Sequence, residues 1–140
     1  MTTNADIGYG AILEVETSAG SGSYTEIAEV TSITPPNESV DVIDVTHMSS
    51  PNRTREFIQG LIDPGDASCE LNWVPGAATD DYVLAWRQSG ESRSCRITTP
   101  NNTTYTFPAF VTGWAPTMPI DGKMTATLTM KVAGAIVVGP

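Results

Sequence analysis

The chain has 140 residues, a formal net charge of −9 and 16% charged side chains, against about 25% in a typical globular domain. This length predicts a single domain, residues 1–140, with its own hydrophobic core. The acidic balance argues against a protein that grips a phosphate backbone, and no run of about 20 apolar residues is present to cross a membrane.

The charge is unevenly distributed along the chain. Residues 1–52 contain eight acidic residues and neither Lys nor Arg, and residues 53–140 contain eight acidic and seven basic residues. An acidic surface repels nucleic acid, which would be useful where DNA must pass without sticking. A solvated face that keeps the protein soluble is the simpler interpretation.

The N-terminal part predicts an arm followed by strands. Residues 1–9 are polar and glycine-rich, and they lack the basic and apolar regions of a secretory signal, which indicates synthesis in a cytoplasm. Residues 10–17 and 24–33 are typical of strands, separated by a flexible AGSGS turn. Residues 38–47 are β-branched, but their apolar positions change parity after Val42, which predicts a β-bulge near Val42 and Ile43 or a strand buried on both faces.

A long loop is predicted at 49–66, with the sequence SSPNRTREFIQGLIDPGD. It contains two arginines and an apolar cluster between proline and glycine residues. Loops beyond about 12–15 residues are usually functional or disordered, and the apolar cluster argues against simple disorder. The alternative is a flap that folds back on its own subunit.

The remainder of the chain predicts one helix among strands. Residues 66–74 alternate, with Ala67, Cys69, Leu71 and Trp73 on one face. A short helix is predicted at about residues 80–89, begun by Asp80 and Asp81 and ended by Gly90. Further strands are predicted at 93–99, 103–112 and 122–134, with Pro108 arguing for a sheet edge or a bulge. The apolar tail, 135–140, could be a strand that needs a partner.

These elements predict a mainly β fold. We expect two packed antiparallel sheets that form a β-sandwich or a partly closed barrel, with one short α-helix against them.

The sequence offers little for catalysis or for cofactor binding. His47 is the only histidine and is interpreted as structural, and no Cys/His cluster suggests a metal. Cys69 and Cys95 are predicted to be buried free thiols, with a disulfide as the minor alternative. We therefore predict no enzyme, no cofactor and no metal site.

The order of these segments resembles a known family. SVDVIDVTHM, then RTREFIQGLIDPGD, then ASCELNW, then a short helix after PGAATDD and a C-terminal β meander occur in succession. In this order and spacing the chain resembles the major tail tube proteins of long-tailed phages with flexible tails and of gene transfer agents, over most of residues 10–134.

The resemblance implies a structural virion protein of the tail that self-assembles into stacked hexameric rings. These form a hollow tube through which DNA is ejected without specific binding. It implies a long loop that reaches a neighbouring subunit, no cofactor, and partners in the tape-measure, tail terminator and distal tail proteins.

Two sets of residues follow as candidate sites. The expected inter-subunit contacts lie in the long loop: Arg53, Arg55, Glu56, Phe57, Ile58, Leu61 and Ile62. The apolar members would offset the entropy of ordering the loop, and the arginines would pair with acids of the next subunit. If the strands at 38–47 and 66–74 line the lumen, the lumen-facing candidates are Asp44, Thr46, Ser68, Glu70 and Asn72.

Two other functions remain as alternatives. One is another tail component, such as a terminator or a tube-initiating protein. The other is a carbohydrate-binding β-sandwich module, which an exposed, coplanar pair of Trp114 and Tyr105 would favour.

Overall fold

The structure, a computed structural model, describes residues 8–139 of the chain. Most of the expected N-terminal arm, 1–9, therefore lies outside the described residues. Within them the protein consists of ten strands and one α-helix: β1 Ile12–Glu16, β2 Tyr24–Glu26, β3 Val30–Thr34, β4 Ser39–Asp44, β5 Phe57–Asp63, β6 Asp66–Asn72, α1 Ala78–Ser89, β7 Arg93–Thr98, β8 Thr104–Thr117, β9 Thr125–Val132 and β10 Val137–Gly139.

The strands form two antiparallel sheets. The main sheet has the order β2-β1-β7-β8-β9-β6-β3, and β10 pairs with the free part of β8. The second sheet is the hairpin β4–β5 alone. The prediction of a mainly β fold with two antiparallel sheets and one helix is confirmed.

The main sheet curls because one short linker ties its two ends together. The N–H of Ile27 donates to the carbonyl of Leu13 on β1 (2.9 Å), and the N–H of Asn72 on β6 donates to the carbonyl of Glu29 (3.0 Å). The sequence predicted one strand at 24–33. Instead the chain breaks at 27–29, where Glu29 has φ 57°, because it must change from pairing with β1 to pairing with β6.

The core lies on the inner face of this curled sheet. The strand predicted at 122–134 is present as β9, and alternation along it buries Ala126, Leu128, Met130 and Val132. The same period buries Ala67, Cys69 and Leu71 on β6, with Trp73 packed against the core just beyond the strand. Cys69 and Cys95 are both buried free thiols.

Helix α1 covers the core with Val83 and Trp86. It begins at Ala78, earlier than the predicted residue 80, and Gly90 ends it at φ 66° as predicted. Asp80 is buried in the first turn, where its carboxylate accepts hydrogen bonds from Trp73 Nε1 and from the N–H of Gly76, both 3.1 Å. No helix among residues 8–139 is long and apolar enough to span a membrane.

Pro108 is not at a sheet edge, contrary to one of the two expectations for it. It lies inside β8 and opposes Ser94 of β7. On its other side β8 pairs with β10 through residues 104–106 and with β9 from Ala109 onward. The missing N–H of the proline is tolerated because it falls between these two partners.

Candidate assembly surfaces

A two-stranded arm replaces most of the predicted long loop. Residues 57–63, which the sequence analysis placed inside the loop 49–66, form β5 and pair with β4. Gly60 and the flanking prolines favoured a loop, but the segment FIQGLID has enough β-branched and aromatic residues to extend against SVDVID. We call residues 39–63, the hairpin and its turn, the arm.

The arm continues the β3–β6 pair beyond the main sheet, across a hinge at residues 35–38 and 64–65. Gly65 has φ +76°, and a Cβ at this position would collide with the carbonyl oxygen of Asn37. The N–H of Gly65 donates to Asp63 Oδ1 (2.9 Å), and its carbonyl accepts from the N–H of Val132 (3.2 Å). Only glycine fits this conformation and this close approach, so Gly65 fixes the direction in which the arm leaves the sheet.

A β-bulge gives the arm two apolar faces. The register shifts between Val40 and Val42, which confirms the predicted bulge at a position next to the expected one. Residues opposite each other in a ladder share a face. The register therefore places Val40, Ile43, Ile58 and Ile62 on one face. It places Val42, Phe57 and Leu61 on the other.

Both faces of the arm are exposed to solvent. Leu61 is 82% exposed and Phe57 is 55% exposed, and the apolar residues of the first face are about half exposed. Four of the predicted contact residues, Phe57, Ile58, Leu61 and Ile62, are thus brought together on one hairpin. The sequence analysis missed their β4 partners, although the apolar residues at both parities in SVDVIDV were the available signal.

Polar groups order the outer end of the arm. Asp44 accepts from the N–H of Thr46 (2.8 Å), and Arg55 Nη1 lies 3.3 Å from Asp44 Oδ2. Hydrogen bonds from Thr46, and then from Arg55, lower the pKa of Asp44. Glu56 accepts from Ser50 Oγ (2.7 Å).

Arg55 and Glu56 therefore have partners within their own arm. His47 lies beside Glu56, with Nε2 3.3 Å from its carboxylate. Arg53 is exposed in the turn Pro51–Arg53, and no carboxylate among residues 8–139 lies within ion-pair distance of it. Of the two predicted arginines, Arg55 thus has a carboxylate partner in the arm and Arg53 has none among residues 8–139.

A hydroxyl-rich face covers the outside of the main sheet. On β6 the residues that alternate with the buried ones are Ser68, Glu70 and Asn72, and they oppose Thr129, Thr127 and Thr125 of β9. Ser32 and Thr34 of β3 extend the row on the other side of Glu70 and Ser68. This hydroxyl-rich face is confined to β3, β6 and β9, and its charged residues on β6 and β9 are Glu70 and the opposed pair Asp66 and Lys131.

The predicted lumen residues fall on two separate elements. Ser68, Glu70 and Asn72 lie on the outside of β6, whereas Asp44 and Thr46 lie toward the outer end of the arm. Asn72 is only partly accessible, and its Oδ1 is buried without a hydrogen-bond partner among the described residues.

The aromatic residues do not form a sugar-binding platform. Tyr105 and Trp114 are both partly buried and packed against the core. They are nine residues apart on β8, which separates them by about 30 Å along the strand. Within residues 8–139 no group of three or more His, Cys, Asp or Glu side chains could hold a metal ion.

Comparison with known sequences identifies a matching family. The model of a family described as lambda phage tail tube protein matches residues 13–139 of the chain. None of the curated proteins matches the sequence of this chain.

Solved structures share the fold at low sequence identity. A subunit from the tail of an empty gene transfer agent particle is 21% identical, with a TM-score of 0.78 over 97% of this chain and 100% of that chain. A chain from the sheath–tube complex of an extracellular contractile injection system is 14% identical, with a TM-score of 0.72 over 97% and 92%. The tail tube of phage SPP1 is 10% identical, with a TM-score of 0.67 over 91% and 75%.

Proposed function

Since the chain belongs to the lambda phage tail tube protein family, we propose that it assembles into hexameric rings that stack into the hollow tube of a phage tail, the conduit for DNA ejection. Membership of this family makes the chain a component of the virion tail. Our proposal for this chain comprises its assembly into rings, the stacking of those rings and the contacts described below.

The arm is the observation that carries the proposal. An isolated two-stranded hairpin is at best marginally stable in water, and this one exposes apolar side chains on both faces. Single exposed apolar residues are ordinary, but a contiguous exposed patch marks an interaction site. A second copy of the chain that covers both faces would bury the patch and hold the arm in place.

The charges of the arm fit such a contact. Arg53 lies at the turn of the arm, and residues 1–52 of every copy carry eight acids and neither Lys nor Arg. Asp44 and Glu14 are already paired with Arg55 and Arg96. Glu26, Glu29 and Asp41 are exposed with no ion-pair partner among residues 8–139, so they are free to meet an arginine of another copy. Exposed pairs of this kind contribute little affinity but favour one register of docking.

The hydroxyl-rich face suits the lumen. Lys and Arg on this surface would hold phosphates and slow the passage of DNA. The outside of β6 and β9 presents Ser and Thr with Glu70 among them, and its one cation, Lys131, is held by Asp63 and Asp66 at the end next to the arm. We therefore assign Ser68, Glu70 and the threonines of β9 to the wall of the channel, through which DNA passes without specific binding.

The tube would need end partners and no catalysis. Tape-measure, terminator and distal tail proteins are the partner classes that this role requires. A purely structural role needs no cofactor.

Negative-stain electron microscopy and native mass spectrometry over a concentration series test the proposal. We expect six-fold rings, tubes or both. A protein that stays monomeric at every concentration and after seeding with tube fragments would contradict it. Closed single rings that never stack would favour a terminator instead.

A further inference from the structure

The turn between β8 and β9 presents exposed apolar side chains. Ile120 is fully exposed and Met118 is 69% exposed. Pro119 lies between them, and its ring is 3.4 Å from the position of a Cβ on Gly122. Proline fixes one backbone angle, which reduces the conformational entropy that the turn would lose on binding.

An open groove lies where the arm meets the end of β9. Its volume is about 580 Å³, within the range of roughly 300–1,000 Å³ that takes small ligands or a few side chains. Ile62 and Pro64 form one wall, and Val132 to Ile136 form the other. Gly134 packs against Pro108 so closely that a Cβ would come within 2.9 Å of its ring, which fixes the second wall.

The turn and the groove lie at opposite ends of the same ladder. The turn precedes Thr125, the first residue of β9, and the groove begins at Val132, its last residue. Seven strand residues separate the two features by about 24 Å. Since the two surfaces differ and lie at opposite ends of β9, a contact between one copy's turn and another copy's groove is head to tail, and it extends along a tube where its rotation does not close a ring.

The charges at the two ends agree with this pairing. Glu38 lines the groove, and Asp63 and Asp66 lie nearby and share Lys131 at 3.5 and 3.6 Å. Three carboxylates thus face one ammonium group at this end. The turn carries one exposed acid, Asp121, and one exposed cation, Lys123, and no carboxylate among residues 8–139 lies within ion-pair distance of Lys123. Lys123 is therefore the group of the turn that complements the acidic groove.

We propose that the β8–β9 turn of one copy inserts Ile120 and Met118 into the groove between Ile62 and Ile136 of the next copy along the tube. Lys123 then approaches Glu38 at the rim. The proposal rests on the tube-forming function above, and it names the axial contact between successive rings, which is separate from the contact made by the outer part of the arm.

Disulfide trapping tests the contact. The double variant Ile120→Cys with Ala135→Cys is assembled and then oxidised with diamide. Ala135 is exposed and lines the groove, and burial of Cys69 and Cys95 keeps the native thiols out of the reaction. We expect a ladder of linked chains on a non-reducing gel, because each chain is bonded to one copy ahead and one behind. The control is Ile120→Cys with Asn101→Cys, whose second thiol is exposed outside the groove.

A single substitution tests the same contact independently. Ile120→Asp changes a fully exposed side chain and leaves the fold intact. We expect rings to persist and the amount of stacked tube to fall about tenfold or more, because the contact loses the burial of one large apolar side chain.

The outcomes separate the two proposals. Wild-type tubes together with a ladder in the double variant and loss of stacking in Ile120→Asp support the contact. Wild-type tubes with no ladder, or with normal stacking of Ile120→Asp, overturn the contact and leave the tube function standing. Failure of the wild type to form rings or tubes overturns both.

Discussion

Glu16 is a buried carboxylate that holds two parts of the chain in place. Its oxygens accept hydrogen bonds from the N–H of Gly22 in the β1–β2 turn (2.9 Å) and from the N–H of Ser94 on β7 (3.0 Å). These two bonds lower the pKa of Glu16 below its ordinary value of 4.5. A hydrogen-bonded charge of this kind favours the folded chain only while it is ionised.

Replacement of Glu16 by Gln should lower stability at neutral pH by about 1–2 kcal/mol, because a charged acceptor is lost. Since its pKa is lower in the folded than in the unfolded chain, the contribution of Glu16 is fully present above pH 4.5 and is lost as the pH falls through the folded pKa. Urea unfolding at pH 7 and at pH 3 should show the variant closer to the wild type at pH 3. Glu26→Gln, an exposed carboxylate on β2, serves as the control and should change little at either pH.

The close contact at Gly65 leads to a second prediction at the scale of a single residue. Gly65→Ala combines an unfavourable positive φ with a collision against Asn37, whereas Gly76→Ala has a nearly equal φ, +75°, and open space around the new Cβ. We expect Gly76→Ala to cost about 1 kcal/mol from the backbone alone. Gly65→Ala should cost more and should also reduce assembly, because the arm is redirected. Equal effects on unfolding and on tube yield would show that the hinge contact is unimportant.

At the scale of elements, the arm shows what a sequence pattern can and cannot decide. The apolar residues of 57–62 argue against a disordered loop, and the change in parity of the apolar positions in β4 indicates the bulge. The pairing of β5 with β4 was not predicted because both faces of this two-stranded ribbon are apolar. Its strands therefore lack the alternation of apolar and polar residues that indicates a strand in a sequence. The break at 27–29 was missed for a different reason, since curling of the sheet is set by distant strands.

Phe57→Ser is the test of the arm as an element. Phe57 is 55% exposed, so the free energy of unfolding of the monomer should change by less than about 0.5 kcal/mol. Assembly should fall sharply, because in our proposal the residue is buried between copies. The same change at Phe110, an outward residue of β8 that opposes Lys131, is the control and should leave assembly normal. Normal tubes from Phe57→Ser would show that our account of the arm is wrong.

At the scale of the whole molecule, the fold class could be predicted because the alternation of apolar and polar residues along a strand, as on β9, is a local sequence pattern. The sheet order could not, since β6 pairs with both β3 and β9 and nothing in their sequences specifies these partners. The two lumen candidates on the arm, Asp44 and Thr46, illustrate this limit. The sequence analysis grouped the segments 38–47 and 66–74, but Asp44 ends β4 in the separate two-stranded sheet and Thr46 lies just beyond that strand.

Reversal of charge at Glu70 tests the assignment of the lumen. Glu70→Lys would place a ring of ammonium groups on the channel wall, and DNA ejection from virions built with this variant should slow, most strongly at low salt. Glu26→Lys makes the same change on β2, away from the hydroxyl-rich face. Equal ejection rates for wild type and Glu70→Lys would exclude β6 from the lumen.

With the proposed contact, the apolar turn at one end of β9 and the groove at the other would give the tube a direction. Every ring would show turns at one end of the tube and grooves at the other, so the two ends would offer different chemistry to the proteins that start and stop growth. A starter would have to imitate one surface and a terminator the other. The length of the tube would then be controlled at one end without interference from the other.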